Sequence, residues 1–247
     1  MAQRLWKKKL PPREVKQFKE KQKIESSVFD VRTLHILSDF IKKKVVDSVD
    51  YPMATGKEAD VFRATTETGH VAIKIYRIET SNFQNMQDYM TGDPRFFHVK
   101  KNKWDIVFNW TKKEFSNLKL FEKAGVRAPK PIAFKKNVLL MEFIGEEGMP
   151  DSTLKQMGAD TPERTLETIL GYVKILYKSG IVHADLSEYN ILMHMGEPVI
   201  IDVGQAVLLN HPKAEEFLER DISTMLKYFR KYGIKKDEKE ILKEITG

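Results

Sequence analysis

The sequence predicts an α+β chain arranged as two lobes. Segments with strand periodicity come first, segments with helical periodicity follow, and a glycine- and proline-bounded connector, Gly145 to Pro150, lies between them. The expected division is a basic arm and helix over 1–50, an N-terminal lobe over 51–143 and a C-terminal lobe over 144–247.

Taken in order, Pro11-Pro12 closes a basic cluster, and 14–24 reads as a charged helix. A second helix is expected over 31–46, where Leu34, Leu37, Phe40 and Ile41 recur at helical spacing. Tyr51-Pro52 breaks that pattern, because the residue before a proline avoids helical backbone. Strands over 60–65 and 70–76 flank Thr-Glu-Thr-Gly, a hairpin turn. Residues 79–103 are polar, contain Gly92 and Pro94, and read as a long mobile loop. The next helix ends near Lys123-Ala124-Gly125, with glycine as its stop signal. A buried-type strand spans 138–143. Thr161-Pro162 then starts a helix whose Leu166, Ile169, Leu170, Val173 and Tyr177 form one stripe up to Gly180. Ile191-Leu192 and Val199-Ile200-Ile201 bracket a short hairpin turn, and helices over 213–232 and 237–245 close the chain.

Composition removes several function classes. The 247 residues, 41% hydrophobic, suffice for a sizeable core. No run approaches the ~18 apolar residues of a membrane helix, and the charged start has no apolar stretch after it, so no secretory leader is expected. Zero cysteines exclude disulfides, thiolate metal sites and thiol catalysis, and the six histidines lack zinc-like spacing. The expectation is a soluble cytoplasmic protein with no membrane partner. Net charge is +7, and residues 1–23 account for all of it with nine Lys/Arg against Glu14 and Glu20. Such an arm suits an anionic partner such as nucleic acid; the alternatives are a solvated, partly helical leader, or a brace packed on the body through Trp6 and Phe18. Abundant Lys and Glu lean toward a thermophile.

The chemistry concentrates in His183-Ala184-Asp185-Leu186-Ser187-Glu188-Tyr189-Asn190, followed by Asp202 in Ile201-Asp202-Val203-Gly204. An Asp, an Asn five later and an Asp after a following strand form a phosphotransfer set. Asp185 orients an attacking hydroxyl, while Asn190 and Asp202 offer magnesium the hard oxygens it requires. Each alone also serves as a cap or turn residue. Upstream, Val71-Ala72-Ile73-Lys74 matches the nucleotide-binding lysine strand of protein kinases. A lysine in an apolar strand needs an anionic partner, and Glu114 is the candidate, although Thr111 and Glu114 also have capping-box spacing. Thr55, Gly56, Lys57, Glu58, Ala59 and Val61 stand where a phosphate-covering loop belongs, with backbone amides of 55–59 facing phosphate. Leu140-Met141-Glu142-Phe143-Ile144 reads as a hinge, with Glu142 and Ile144 backbone at the adenine edge and Met141 lining the rear of the pocket, and Ala72 is a further nucleotide-binding candidate.

Ala-Thr-Gly-Lys-Glu-Ala, His-Ala-Asp-Leu-Ser-Glu-Tyr-Asn and Ile-Asp-Val-Gly-Gln-Ala together resemble the RIO family of atypical serine/threonine-protein kinases, over about 30–233. The short N-terminal region resembles the first subfamily, which has no winged helix, and an archaeal source is expected. The resemblance implies a two-lobed protein-kinase-like fold with a truncated C-terminal lobe. It also implies binding of ATP and magnesium (with manganese as a substitute), autophosphorylation on serine, ATPase activity, and work on the small ribosomal subunit precursor and its RNA. By the same resemblance Asp185 is the catalytic base, Asn190 and Asp202 hold metal, Lys74 anchors phosphate, and Asp202 is associated with a phosphoaspartate. Ala184 replaces the arginine that grips a phosphorylated activation loop, and Ser187 replaces a phosphate-neutralising lysine. About eight residues separate Gly204 from the next helix, so no activation loop or peptide-binding helices fit. A switch ATPase with little protein transfer is the alternative. A small-molecule phosphotransferase is a further one, disfavoured by the few residues after Asp202.

Overall fold

The computed structural model describes residues 30–96 and 102–247. The basic arm and the helix expected at 14–24 lie outside the described residues. Helix α1 (Val31–Lys42) is capped by Asp30, whose side chain accepts the Thr33 N–H at 2.7 Å. It stops short of the expected 46, and the expected stripe is rotated: Ile36, Leu37 and Phe40 are buried, whereas Leu34 and Ile41 face solvent. Each of those buried side chains contributes roughly 1.5–3 kcal/mol of transfer free energy.

The helix covers a five-stranded antiparallel sheet of order β1-β2-β3-β5-β4, with β1 Ser48–Thr55, β2 Ala59–Thr66, β3 Gly69–Tyr76, β4 Pro131–Lys135 and β5 Val138–Glu142. Tyr51-Pro52 does end the helical pattern, but it lies within β1. That strand is an edge, where a missing N–H is tolerated, and its register shifts around Pro52. Under α1 pack Phe62, Ala64, Ile73, Ile75, Val138 and Leu140. Alternation therefore sends Val61, Ala72, Lys74 and Met141, which pair as Val61–Lys74 and Ala72–Met141, to the opposite face.

The segment expected as a loop over 79–103 contains helix α2 (Phe83–Met90), capped by Asn82, and a 3-10 turn at Pro94–Phe96. Met86, Tyr89, Met90 and Phe96 are buried, and Tyr89 stacks on Phe217 at 5.2 Å and meets Trp110 edge-on. Few apolar residues among many amides hid an element whose stability comes from the surfaces it bridges. Helix α3 (Lys103–Ala124) ends at Gly125, whose φ of 81° is the left-handed stop that glycine provides.

A two-stranded hairpin, β6 (Gly145–Glu146) and β7 (Met149–Pro150), makes the connector. A β-carbon on Gly145 would lie 2.1 Å from the Met149 carbonyl oxygen, so the turn requires glycine there. The second lobe holds α4 (Leu154–Met157), α5 (Pro162–Lys178), β8 (Ile181–Val182), β9 (Ile191–His194), β10 (Glu197–Ile200), β11 (Val207–Leu208), α6 (Ala214–Phe229) and α7 (Glu238–Thr246). β9 and β10 form the expected hairpin, and β11 returns directly to pair with β8.

Candidate active site

Strand β3 carries Lys74 into the cleft between the sheet and the second lobe, where two carboxylates meet it. Its Nζ lies 2.9 Å from Glu114 Oε1 on α3 and 2.9 Å from Asp202 Oδ1 after β10. Tyr76 donates to the other Glu114 oxygen. Burial alone would push the Lys74 pKa down, but the Asp202 and Glu114 carboxylates outweigh it and hold the lysine well above its usual range. Lys74 in turn holds Asp202 below the ordinary carboxylate range. Thr111 is buried in mid-helix and donates to the Val107 carbonyl, so it caps nothing.

The stretch from His183 to Asn190 is fixed from below by Asp221 on α6. Its two carboxylate oxygens each accept a backbone N–H at 2.8 Å, from Ala184 and Leu186. That grip holds Ala184 at φ 67°, a left-handed conformation costly for a residue with a β-carbon. Arg220 donates to the Ala184 carbonyl, closing the turn from the side. His183 is buried and accepts the Asp185 N–H on Nδ1. Burial lowers its pKa to about 4, which keeps it neutral.

Asp185 projects from this turn toward Asp202. Its Oδ2 accepts from Gln205 Nε2 at 3.0 Å and from Asn190 Nδ2 at 3.2 Å, and Asn190 Nδ2 also holds the Asp185 carbonyl at 2.8 Å. Burial, then the nearby Asp202 charge, raises the Asp185 pKa to about 6. A carboxylate poised near neutrality suits proton acceptance from a hydroxyl. Asp202 has φ 57° and a side chain 51% exposed, so one oxygen faces Lys74 while the carboxylate still opens to the cleft.

Comparisons with known proteins identify the family. A RIO domain profile matches residues 60–241. The RIO-type serine/threonine-protein kinase Rio1 of Haloferax volcanii is 42% identical over 226 residues, covering 91% of this chain and 78% of that one. The chain belongs to the RIO family of atypical serine/threonine-protein kinases. The Rio1 kinases of Methanocaldococcus jannaschii (38% identical, 94% of this chain and 80% of the relative) and Thermoplasma acidophilum (42%, 73% and 96%) place it with the first, Rio1 type, and an archaeal source fits these relatives. Among solved structures, the Rio2 kinase of Chaetomium thermophilum has a TM-score of 0.68 at 23% identity, covering 85% of this chain and 65% of that one. Its ADP/Mg2+-phosphoaspartate complex gives 0.65 at 23% identity, with the same coverage. These show the fold. Consistent with the truncated RIO C-terminal lobe, α6 begins at Ala214, ten residues after Gly204.

The remaining RIO motif residues surround the same cleft. Thr55 ends β1, Gly56, Lys57 and Glu58 form the turn, and Ala59 starts β2. The Gly56 amide is committed to the Ala59 carbonyl at 2.9 Å, so within the expected run of 55–59 it does not face the cleft. Glu58 is half-buried, and burial followed by the Asp202 charge raises its pKa. At the hinge, the Glu142 N–H donates to the Lys130 carbonyl and the Ile144 carbonyl accepts from Asp151. An adenine edge would therefore meet the Glu142 carbonyl and the Ile144 N–H. The Glu142 side chain turns away to Arg127, at 2.7 and 2.9 Å.

The donor set fits a divalent cation. Glu58, Asp185, Asp202 and Glu114 crowd one cleft with Lys74 as the cation bonded to two of them. Asn190 commits its amide nitrogen to Asp185, which leaves its Oδ1 as a further hard oxygen. Asp221, Gln205, Lys113 and Asn117 were not anticipated. Asp221, Lys113 and Asn117 each occupy an apolar-face position of a helix, and a polar residue there is the signal that identifies them.

Proposed function

We propose that this chain is a magnesium- and ATP-dependent protein kinase that phosphorylates serine or threonine, itself included, and hydrolyses ATP. The observation that carries the reading is the closed network Glu114–Lys74–Asp202, at 2.9 Å on each side, with Asp185 beside it. Bound magnesium would neutralise phosphate charge between Asn190 and Asp202 and favour displacement at the terminal phosphorus. Lys74 is already held at the floor of the cleft, so it can meet phosphate without reorganising. Asp185 keeps Oδ2 occupied by Gln205 and Asn190, leaving Oδ1 to accept the hydroxyl proton of a serine or threonine. The purine would lie between Val61 and Ala72 on the sheet side, with Met141 at the rear.

A second reading is favoured by the half-exposed Asp202 carboxylate and by the short segment between Gly204 and α6, which among the described residues leaves no room for peptide-binding helices. Asp202 itself accepts the phosphoryl group, as the Chaetomium Rio2 complex contains a phosphoaspartate, and water then releases it. Both readings place the protein in the cytoplasm at the maturing small ribosomal subunit and its RNA. That partner rests on family resemblance and on the basic residues of 1–23. Incubation with γ-labelled ATP and magnesium or manganese, with and without small subunits, tests the proposal. Acid-stable label supports Ser/Thr transfer, and hydroxylamine-labile label supports the switch reading. A protein that neither takes up label nor releases phosphate overturns both.

A further inference from the structure

The buried face of α3 contains a lysine that forms no ion pair among the described residues. Lys113 is fully buried, its Nζ donating to the carbonyls of Gly204 at 2.8 Å and Ala206 at 2.5 Å. One turn on, buried Asn117 donates to the carbonyls of Val203 at 2.8 Å and Ala206 at 3.0 Å. Its Oδ1 accepts from Arg95, itself paired with Asp93. Trp110 closes the third side, its indole about 3.2 Å from where a β-carbon of Gly204 would stand. Three side chains on successive turns of α3 thus enclose the short turn that follows Asp202.

This arrangement is expensive. An ammonium without a carboxylate loses its hydration and recovers only part of it from carbonyls. Burial accordingly lowers the Lys113 pKa to about 7. A methionine of similar length would fill the space without that cost, so packing alone does not explain a lysine. What the lysine and asparagine supply is donors for three inward-facing carbonyls immediately after Asp202, a residue held in the left-handed region at φ 57°. With Ala184 in place of an arginine and no activation loop, nothing gripped by a phosphate braces this turn from outside. The same helix also carries Glu114, so one rigid element fixes both the partner of Lys74 and the turn behind Asp202.

Resting on the magnesium reading above, we propose that Lys113 and Asn117 are positioning residues for the metal. They clamp the 203–206 turn so that Asp202 presents its carboxylate beside Asn190 before any ligand arrives. Residues that orient ligands in this way typically affect metal affinity ~10–100-fold when removed.

The test is calorimetric titration of ADP into the full chain, once with magnesium and once with EDTA, for the parent, Lys113→Met and Asn117→Leu, with a thermal melt of each. In the variants the gain in ADP affinity from magnesium is expected to fall about tenfold or more. Affinity in EDTA should stay within about twofold, and Lys113→Met should remain folded, because losing the buried ammonium offsets part of the cost of leaving the Gly204 carbonyl without a donor. Folded variants that keep the parent's magnesium gain overturn the proposal. So does an equal fall with and without magnesium, which would mean general damage to the cleft. Loss of fold in Lys113→Met leaves Asn117→Leu to decide, and loss of fold in both assigns the pair to stability and overturns it. A parent whose ADP affinity ignores magnesium overturns the magnesium reading itself, and the clamp proposal with it.

Discussion

Replacing Lys74 with methionine asks what the buried carboxylate of Glu114 does when its cation is removed. Glu114 is 2% exposed and would keep only Tyr76 as a hydrogen-bond partner. Remaining ionised and unpaired costs several kcal/mol, but protonation is an escape with a calculable limit. From an ordinary value of 4.5, neutralising a glutamate at pH 7 costs about 3 kcal/mol, at 1.36 kcal/mol per pH unit. At pH 5 the same escape costs only about 1 kcal/mol. The sign follows from linkage. Burial already holds Glu114 above its ordinary range with Lys74 in place, and removing Lys74 raises it further, so the added penalty is small near pH 4.5 and grows as pH rises. The Asp202 share is left out because that side chain is half exposed and screened. Urea denaturation of Lys74→Met should therefore show a loss of up to about 3 kcal/mol at pH 7 and of no more than about 1 kcal/mol at pH 5. Adding Glu114→Gln should recover most of it. An equal loss at both pH values, or no recovery in the double variant, would refute the reasoning.

Turnover should have an acidic limb at or just below pH 6. Asp185 must be ionised to accept a proton, and bound metal relieves the Asp202 charge that helps to raise it; a rate unchanged between pH 7 and pH 5 would contradict this. Asp202→Ala should weaken binding of magnesium-ATP more than binding of ATP in EDTA, read by titration, since it removes a metal ligand rather than a nucleotide contact. Deleting residues 1–23, outside the described residues, should flatten the dependence of log K for RNA on log salt by roughly 3 units. A lowered melting temperature with an unchanged salt slope would instead make the arm a brace on the body.

What the sequence made legible follows from where local signals and tertiary needs coincide. Lys74, Asp185, Asn190 and Asp202 sit in short segments whose spacing is dictated by the chemistry, so a single sequence suffices to pick them out. Glu114 was within reach because a strand lysine demands an anion, and a helix was expected at the right distance. Elements stabilised mainly by partners far along the chain were not. In β4, Ile132 and Phe134 point outward, reversing the alternation that marks a half-buried strand. Helix α2 buries Met86, Tyr89 and Met90 against α3 and α6, surfaces supplied by residues that follow it in the chain. The stripe assigned to α1 mixed two faces, because Leu34 and Ile41 are as hydrophobic as the residues that pack. Gln205 could not be inferred from spacing, since its contact with Asp185 depends on how tightly the turn after Asp202 folds back.

The central claim is that Lys74 and Asp202 hold magnesium-ATP while Asp185 accepts the proton during transfer. Equilibrium ATP affinity and single-turnover phosphoryl transfer, measured together on the parent and Asp185→Ala, test that division most directly. ATP affinity should stay within about twofold of the parent, and transfer should fall ~10²–10⁴-fold. A variant that transfers phosphate at more than about half the parent rate, or one that loses transfer only because ATP no longer binds, would contradict the claim.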